Sequence, residues 1–309
     1  MRTSPAFTAS ALLAGALLLT ACGTETADSR GSAGANIAPS PTGLRACGLP
    51  TDPAQAAQDG VRITAVSGGA IGCGTPTGSG MVKARFRVAN RAAQPLTYTV
   101  KFEVVAASGE ALTYADHTIE HVAPGTTAQA GVTLGPVSRN AFGAHVRIFQ
   151  VRSVPAAEAP SSSGPCPPSG VRVSADRGDA AMGLRVVGLH LQNCSTRPYR
   201  LDGFPQIQLL DLKRQPVTGV SVLHGSGGVS TVAGFDDPAR AMTLQPGQSA
   251  SSGLMWRNTV TDGTSVNVPY VRVTARPGTQ PVTVTPELDL GTTGKLAVAP
   301  WKKDDAASR

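Results

Sequence analysis

The sequence has 309 residues, of which 41% are apolar, 15% charged and 4% aromatic, and its net charge is +7. This length is sufficient for two ordinary domains with buried cores. The charged residues are scattered along the chain and form no basic stripe with interleaved aromatic residues, so we expect no nucleic-acid partner.

The first residues are typical of a bacterial lipoprotein signal peptide. The apolar run Ala9–Leu19 is about half as long as a transmembrane helix requires, which favours a signal peptide over a membrane span. It leads into Leu19-Thr20-Ala21-Cys22, which resembles the lipobox: a leucine three residues before a cysteine, with two small residues between them. The resemblance implies that residues 1–21 are removed and that the Cys22 thiol is diacylated.

An acylated Cys22 would tether the protein to the lipid bilayer. Two acyl chains hold a protein on a membrane more firmly than one, so a stable anchor needs no transmembrane helix. No later run in the sequence is long and apolar enough to supply one. We therefore expect a cell-membrane protein that is lipid-anchored on the extracytoplasmic face. There its positive charge would favour an anionic cell-wall polymer, or another envelope protein, as a further partner.

Four cysteines remain besides Cys22, an even number that suits an oxidising compartment: Cys47, Cys73, Cys166 and Cys194. They allow three pairings, of which we favour Cys47–Cys73 and Cys166–Cys194 because each pair then lies within one predicted domain. The sequence has no Cys-x-x-Cys and no histidine at ligand spacing from a cysteine, so we expect no metal and no cofactor.

Composition divides the chain into alternating ordered and polar segments. The polar ones are rich in Gly, Ser and Pro and cannot bury enough apolar surface to offset their ordering entropy. The predicted organisation is a signal peptide 1–21, a disordered spacer 22–46, a β-sandwich domain 47–154, a semi-stiff linker 155–165, a second β-sandwich domain 166–301 and a tail 302–309.

The strand signals of the first predicted domain have period two. Around residues 81–88, apolar Val82, Ala84, Phe86 and Val88 alternate with basic Lys83, Arg85 and Arg87. Such alternation, interrupted at short intervals by turn residues, favours antiparallel sheets with one buried face each. We therefore predict an all-β fold: two antiparallel β-sandwich domains of immunoglobulin-like type, joined by the Pro/Ser linker.

The second predicted domain carries more specific elements. Its sequence contains a strand ending in Asn193, then Leu201-Asp202-Gly203-Phe204-Pro205, Leu244-Gln245-Pro246-Gly247, and Leu254-Met255-Trp256. This order resembles the DUF4232 family, common in lipoproteins of actinobacteria, although Tyr199 stands where that pattern often has cysteine. The resemblance implies a β-sandwich outside the cytoplasm and carries over no catalytic residues.

These elements lead to three structural predictions. Phe204 would plug the core, Pro246-Gly247 would form a type II turn, and Trp256 would be a core residue.

His117 and His121 form the most conspicuous motif outside the family pattern. Two histidines four apart on a helix could share a metal, but the flanking residues favour a strand. On a strand the rings would be about 13 Å apart, too far for a common metal. We interpret both as surface histidines.

The Gly-rich stretch 225–240 is predicted to be a mobile loop. His224-Gly225-Ser226-Gly227-Gly228 lacks the glycine two residues before serine that a nucleophile elbow needs, and Asp236 and Asp237 lack calcium-loop spacing. If a face binds something, this loop is the first candidate, with His224, Ser226, Asp236 and Asp237 as possible binding residues.

The sequence shows no catalytic constellation. The favoured hypothesis is a non-enzymatic binding or envelope-interaction module. The alternatives are a hydrolase acting on cell-wall or extracellular substrate, whose groups only the fold would bring together, and a purely structural envelope lipoprotein.

Overall fold

A computed structural model describes residues 56–68, 80–137 and 144–305. The described residues are nearly all β, with 53% of them in strands, and several of the sheets are antiparallel, which confirms the predicted class. No helix among the described residues has the length and apolar character to cross a membrane. All described residues belong to one compact unit, residues 46–309.

The first half of this unit comprises residues up to 155. Its described strands are β1 (Ala57–Gln58), β2 (Val61–Ser67), β3 (Met81–Ala89), β4 (Leu96–Val105), β5 (Ala111–Val122), β6 (Thr127–Pro136) and β7 (His145–Pro155). They form one sheet in the order β1-β2-β3-β6 and another in the order β5-β4-β7.

The second half follows a single turn of 3-10 helix, Ala156–Glu158. Its described strands are β8 (Val171–Ala175), β9 (Asp179–Ala181), β10 (Leu184–Asn193), β11 (Tyr199–Leu201), β12 (Gln206–Leu210), β13 (Ser221–His224), β14 (Met242–Leu244), β15 (Ser249–Arg257), β16 (Asn267–Val268), β17 (Tyr270–Thr274), β18 (Val282–Val284), β19 (Leu288–Asp289), β20 (Lys295–Val298) and β21 (Lys302–Lys303). The last strand pairs with β15 and lies in the predicted tail.

Each half buries its own hydrophobic cluster. In the first half the inward residues of β3 are buried and Lys83, Arg85 and Arg87 are exposed, as the alternation predicts. Side chains from both sheets meet in this cluster, with Phe86 and Phe102 at 4.7 Å between ring centroids. In the second half β10 pairs with both β8 and β15. Trp256 there is 2% exposed, which confirms its predicted core position.

Asn90 follows β3, and its buried side chain forms hydrogen bonds that connect strand ends within the first half. Its Nδ2 donates to the carbonyl oxygens of Gln94 at 2.9 Å and Val122 at 2.8 Å. Its Oδ1 accepts from the amide of Ala92 at 2.9 Å, and its own amide donates to the Thr126 carbonyl at 3.0 Å. One side chain thereby joins the end of β3 to the ends of β4 and β5.

Asn193 makes the same contacts in the second half. Its Nδ2 donates to the carbonyl oxygens of Arg197 at 2.8 Å and Leu244 at 2.9 Å. Its Oδ1 accepts from the amide of Ser195 at 3.1 Å, and its amide donates to the Gln248 carbonyl at 2.9 Å.

We call Asn90 and Asn193, each with the backbone groups that it binds, the two asparagine corners. The two corners correspond position by position. In both, a proline follows the asparagine by five residues, and the distant carbonyl belongs to an apolar-x-Pro-Gly segment, 122–125 or 244–247. The glycine amide of each segment donates to the carbonyl of the asparagine, at 2.9 Å and 2.8 Å. Gly247 has φ of 80°, as the predicted type II turn requires at that position. The two halves are therefore built on the same local framework.

The predicted linker 155–165 packs against the second half. The Ser161 amide donates to the Val173 carbonyl at 3.1 Å. The predicted disulfide Cys166–Cys194 is present and ties the start of the second half to the residue after Asn193. Cys22, the pair Cys47–Cys73, the signal peptide and the spacer lie outside the described residues.

The asparagine corner generates a stability prediction. We expect Asn193→Ala to lower the free energy of unfolding by about 2 to 4 kcal/mol, because buried backbone groups lose their partners. Asn90→Ala should have an effect of similar size. Urea unfolding of the purified protein measures both.

The matched control is Asn267→Ala, on the exposed side of β16, which should change stability by less than about 0.5 kcal/mol. Equal effects at Asn193 and Asn267 would contradict the role of the corner.

Candidate functional site

The two halves meet along β7, in a contact that we call the seam. Arg152 and Ser153 are neighbours on β7, and each is held by one residue of the second half. The Arg152 guanidinium donates from Nε to Glu287 Oε1 at 2.5 Å and from Nη2 to Oε2 at 2.7 Å. Arg214 Nη2 donates to the carbonyl and hydroxyl oxygens of Ser153 at 2.6 and 2.8 Å. The seam therefore has a bidentate ion pair beside a double hydrogen bond.

Arg214 and Glu287, the two residues that contact β7, both have left-handed backbone conformations. The φ angles of Arg214 and Glu287 are 60° and 55°, in a region that residues other than glycine rarely adopt. Such conformations persist where surrounding contacts over-determine them. The contacts that Glu287 makes to Arg152 and that Arg214 makes to Ser153 hold the two backbones in this conformation.

The linker segment adds a second set of seam contacts. Glu158 forms a bidentate ion pair with Arg272 and accepts from the Thr283 hydroxyl at 2.8 Å. Apolar side chains of Val154 and Tyr270 lie in one small buried cluster beneath it. The segment is thus a fixed brace between the halves, although its composition predicts a semi-stiff tether.

A depression of about 350 Å³ lies beside the Arg152–Glu287 pair, and we call it the seam cleft. Both halves line it: Thr99, Lys101, Tyr114, Asp116, Gln150 and Arg152 from the first, and Asp176, Arg177, Thr285, Pro286 and Glu287 from the second. The first set stands on the outer face of the sheet β5-β4-β7, and the second on the loops after β8 and β18. The cleft exists only where the halves meet.

The cleft floor is polar and has one exposed aromatic ring. Lys101 lies between Asp116 and Gln150 in the strand register. The Tyr114 side chain is 60% exposed, and the Lys101 Nζ lies 5.9 Å from its ring centroid. Carboxylate, amide, ammonium and guanidinium groups surround a ring that is open to solvent. This combination suits a ligand with many hydrogen-bonding groups and one flat apolar face.

An adjoining depression of about 310 Å³ shares Arg177, Pro286 and Glu287 with the seam cleft. Its wall includes Asp289, which accepts from Trp256 Nε1 at 2.8 Å and from Asn258 Nδ2 at 3.1 Å. Asp289 is therefore occupied in orienting the buried indole.

Comparison with known proteins bears on the second half. Its Asn193 corner, Gly203-Phe204-Pro205 step and Pro-Gly turn lie within residues 166–302, which match the model of a family described as a domain of unknown function. Residues 166–302 form a DUF4232 domain. A search of the curated proteins found no match.

Among solved structures, the chain was matched to the crystal structure of red sea bream transglutaminase, with 9% sequence identity and a TM-score of 0.19. The match covers 79% of this chain and 31% of that one, so the chain spans about a third of its length. A likeness this weak carries no argument about fold or function.

Of the four predicted binding residues of the DUF4232 domain, the structure brings Ser226 and Asp236 into direct contact. The Ser226 amide donates to Asp236 Oδ1 at 2.8 Å, and hydrogen bonds from Ser226 lower the pKa of Asp236 below its usual value. Asp237 Oδ2 lies 3.5 Å from Lys302 Nζ. The His224 ring stacks on Phe204 at 4.1 Å between centroids. Each of these residues thus has a contact within the same domain.

Two details of this domain differ from the sequence-based expectation. Phe204 is half-buried and stacks on His224, so the expectation that it plugs the core is wrong. The loop also has a core of its own, because the Phe235 side chain is buried with Val229 and Met255. A β-carbon on Gly253 would lie 3.1 Å from the Phe235 ring, so that glycine makes room for it.

The two histidines of the first half lie on β5, as expected from their flanks. His121 is exposed, whereas His117 is half-buried and meets the Phe86 ring edge-on at 5.5 Å between centroids. The surface interpretation is therefore wrong for His117. Among the described residues, no group of three or more His, Cys, Asp or Glu side chains could hold a metal ion.

Strand pairing places a serine, a histidine and an aspartate in one row of the DUF4232 domain, which sequence reasoning missed. His190 Nε2 lies 3.2 Å from Asp176 Oδ2, and Ser174 stands opposite His190 in the register of β8 and β10. Asp176 also accepts from the amides of Gly178 at 2.8 Å and Gly188 at 2.9 Å. Within the described part of the chain, no hydrogen bond joins Ser174 to His190. The aspartate mainly holds the backbone around β10.

The left-handed backbone at Glu287 gives a prediction about the seam. Alanine and glycine both remove the carboxylate, but only glycine tolerates the positive φ without cost. We expect Glu287→Ala to be less stable than Glu287→Gly by about 1 kcal/mol, the reverse of the order in regular strands. Both should be less stable than the natural protein, because Arg152, whose side chain is 14% exposed, loses its partner.

Urea unfolding measures these differences, with Glu110→Ala at an exposed turn as the control. Alanine and glycine variants of equal stability would show that the seam does not hold position 287 under strain.

Proposed function

We propose that this protein is a lipoprotein anchored by acylated Cys22 on the extracytoplasmic face of the cell membrane. The lipobox-like residues 19–22 support the anchor. The Cys166–Cys194 disulfide supports an extracytoplasmic location, because disulfides persist in oxidising environments. We further propose that each half is an immunoglobulin-like sandwich, a view favoured by the shared asparagine corner.

Within that location the proposed role is non-enzymatic binding, and the observation that carries it is the seam cleft. Its walls come from two halves that the Arg152–Glu287 and Arg214–Ser153 contacts hold in fixed register. A rigid site assembled from two modules pays little ordering entropy when a ligand enters.

The chemistry of the cleft favours a hydroxyl-rich ligand such as a glycan. The exposed Tyr114 ring offers a flat apolar face for a sugar ring. Asp116, Gln150 and Arg177 offer acceptors and donors for hydroxyl groups around it.

The competing hypothesis of a hydrolase has one observation in its favour, the row of Ser174, His190 and Asp176. Among the described residues no hydrogen bond joins Ser174 to His190, as activation of a serine nucleophile requires, so we prefer the binding role. A purely structural lipoprotein would have no use for an open polar cleft with an exposed ring.

The anchor is tested by Cys22→Ser expressed from the natural promoter. A hydroxyl cannot accept the diacylglycerol as a thioether, so we expect the protein to leave the membrane fraction. Ser29→Ala, a change in the predicted spacer that keeps residue 22 intact, is the control and should stay with the membrane. A Cys22→Ser protein that still sediments with membranes contradicts the proposed anchor.

The cleft is tested with a neutral oligosaccharide, a β-1,4-linked N-acetylglucosamine tetramer, titrated into the soluble Cys22→Ser protein. We expect Tyr114→Ala to weaken binding roughly fivefold, since a ring contact contributes about 1 kcal/mol. Phe149→Ala removes an aromatic side chain that is 52% exposed outside the cleft, and should leave binding unchanged. Equal losses in both variants, or no binding by the natural protein, contradict the glycan interpretation.

A further inference from the structure

The outer face of the sheet β2-β3-β6 is strongly basic. Lys83, Arg85 and Arg87 project from β3, and Arg62 of β2 stands directly opposite Arg87. All four side chains are exposed. We call these four residues the cationic stripe.

No acidic residue shares this face in the described part of the sheet. The exposed residues of the neighbouring strand β6 are Thr127, Gln129, Gly131, Thr133 and Pro136. None of the four cations forms an ion pair with a described carboxylate. The nearby acid is Asp59, in the turn before β2, at the rim of a depression of about 430 Å³ that Arg62, Arg87 and Arg91 also line.

The stripe is electrostatically unfavourable unless an anion is present. Like charges directly opposite each other on paired strands destabilise a sheet. Arg62 and Arg87 have this arrangement, and Lys83 and Arg85 extend the same charge along β3. A bound polyanion would relieve the repulsion, and the release of its condensed counterions would favour binding.

The equivalent face of the DUF4232 domain shows that part of such a sheet can be covered, although His190 stays exposed. The asparagine corners align Lys83, Arg85 and Arg87 with Val186, Gly188 and His190. There Val186 packs under the loop core that contains Phe235, and Gly253 makes room for that ring. In the first half, the same positions carry cations and remain exposed.

The spacing of the stripe favours a linear ligand. Outward residues of β3 follow each other at about 6.7 Å, because each residue rises about 3.3 to 3.4 Å along a strand. An extended chain advances about 1.2 Å per backbone bond, since three bonds span about 3.3 to 3.6 Å. A polymer with one charge for every six backbone bonds therefore repeats at about 7 Å. A phosphodiester of a three-carbon alcohol has that repeat.

Two other anionic partners fit less well. A lipid surface spreads its charge over an area, whereas the neighbouring strand β6 is neutral and the cations concentrate along β3. Single-stranded nucleic acid has a similar repeat but binds through stacked bases, and no aromatic side chain is exposed on the described part of this face.

We propose that the cationic stripe binds a linear phosphodiester polymer, with successive phosphates paired to Lys83, Arg85 and Arg87 and a further contact from Arg62. This surface is separate from the seam cleft. It depends on the proposed extracytoplasmic location only for meeting such a polymer.

The test uses the soluble Cys22→Ser chain and a fluorescent synthetic oligomer of glycerol phosphate, with binding followed by anisotropy over a range of salt concentrations. For the natural stripe we expect log K to fall with log salt at a slope of about −3, from about −0.7 for each of the four cations that neutralises a phosphate charge. The double variant Arg85→Gln/Arg87→Gln should bind at least tenfold more weakly, and its slope should be smaller by about 1.4.

The matched control is Arg200→Gln/Arg240→Gln, which removes the same charge from exposed positions of the second half. This control variant should show the same slope of log K against log salt as the natural protein. Equal weakening in both double variants would show a net-charge effect and overturn the proposal. Equal or tighter binding of oligothymidylate, or of phosphatidylglycerol vesicles at the same phosphate concentration, would overturn it in favour of those partners.

A second readout separates binding from folding. Arg62→Thr should raise the melting temperature of the free protein at low salt, because it removes the repulsion opposite Arg87, while it weakens polymer binding. A variant that melts lower and binds less would point to misfolding and count against the stripe. Tyr114→Ala should leave polymer binding intact, so failure of the cleft and failure of the stripe are distinguishable.

Discussion

The structure depends above all on a buried asparagine that fastens the end of one strand to the ends of two others. Asn90 and Asn193 each satisfy one nearby carbonyl, one distant carbonyl and one local amide. A carboxamide suits this position because it offers two donors and an acceptor on one short side chain, without a charge that would be costly to bury. Both halves repeat the corner with the same spacing, so one local solution organises two separate cores.

The seam turns these two modules into one body. Its contacts are polar and directional, and two of them come from residues in left-handed conformations, Arg214 and Glu287. Interfaces between domains of one chain are commonly polar and permit relative motion. Here the bidentate pair, the double hydrogen bond and the Glu158 brace fix several consecutive points from β7 into the linker. The seam cleft is a consequence of that fixation, since neither half encloses it alone.

The two halves use one sheet position in opposite ways. In the DUF4232 domain the loop that buries Phe235 covers part of the outer face beside β10, while His190 stays exposed. In the first half the corresponding face is exposed and cationic.

The sequence by itself determined the all-β class, the alternation of β3, the burial of Trp256 and the family resemblance of the second half, and it favoured Cys166–Cys194 among the pairings it allowed. These follow from local periodicity, spacing and motif, which are properties of the chain alone. Only the tertiary structure decided the seam cleft, the row of Ser174, His190 and Asp176, and the grouping of Arg62 with the cations of β3. Those features join residues that are distant in sequence, and strand pairing sets which of them become neighbours. For the same reason Arg62 joins the three cations of β3 in one stripe, and a hydrogen bond joins Ser226 to Asp236 in the predicted binding loop.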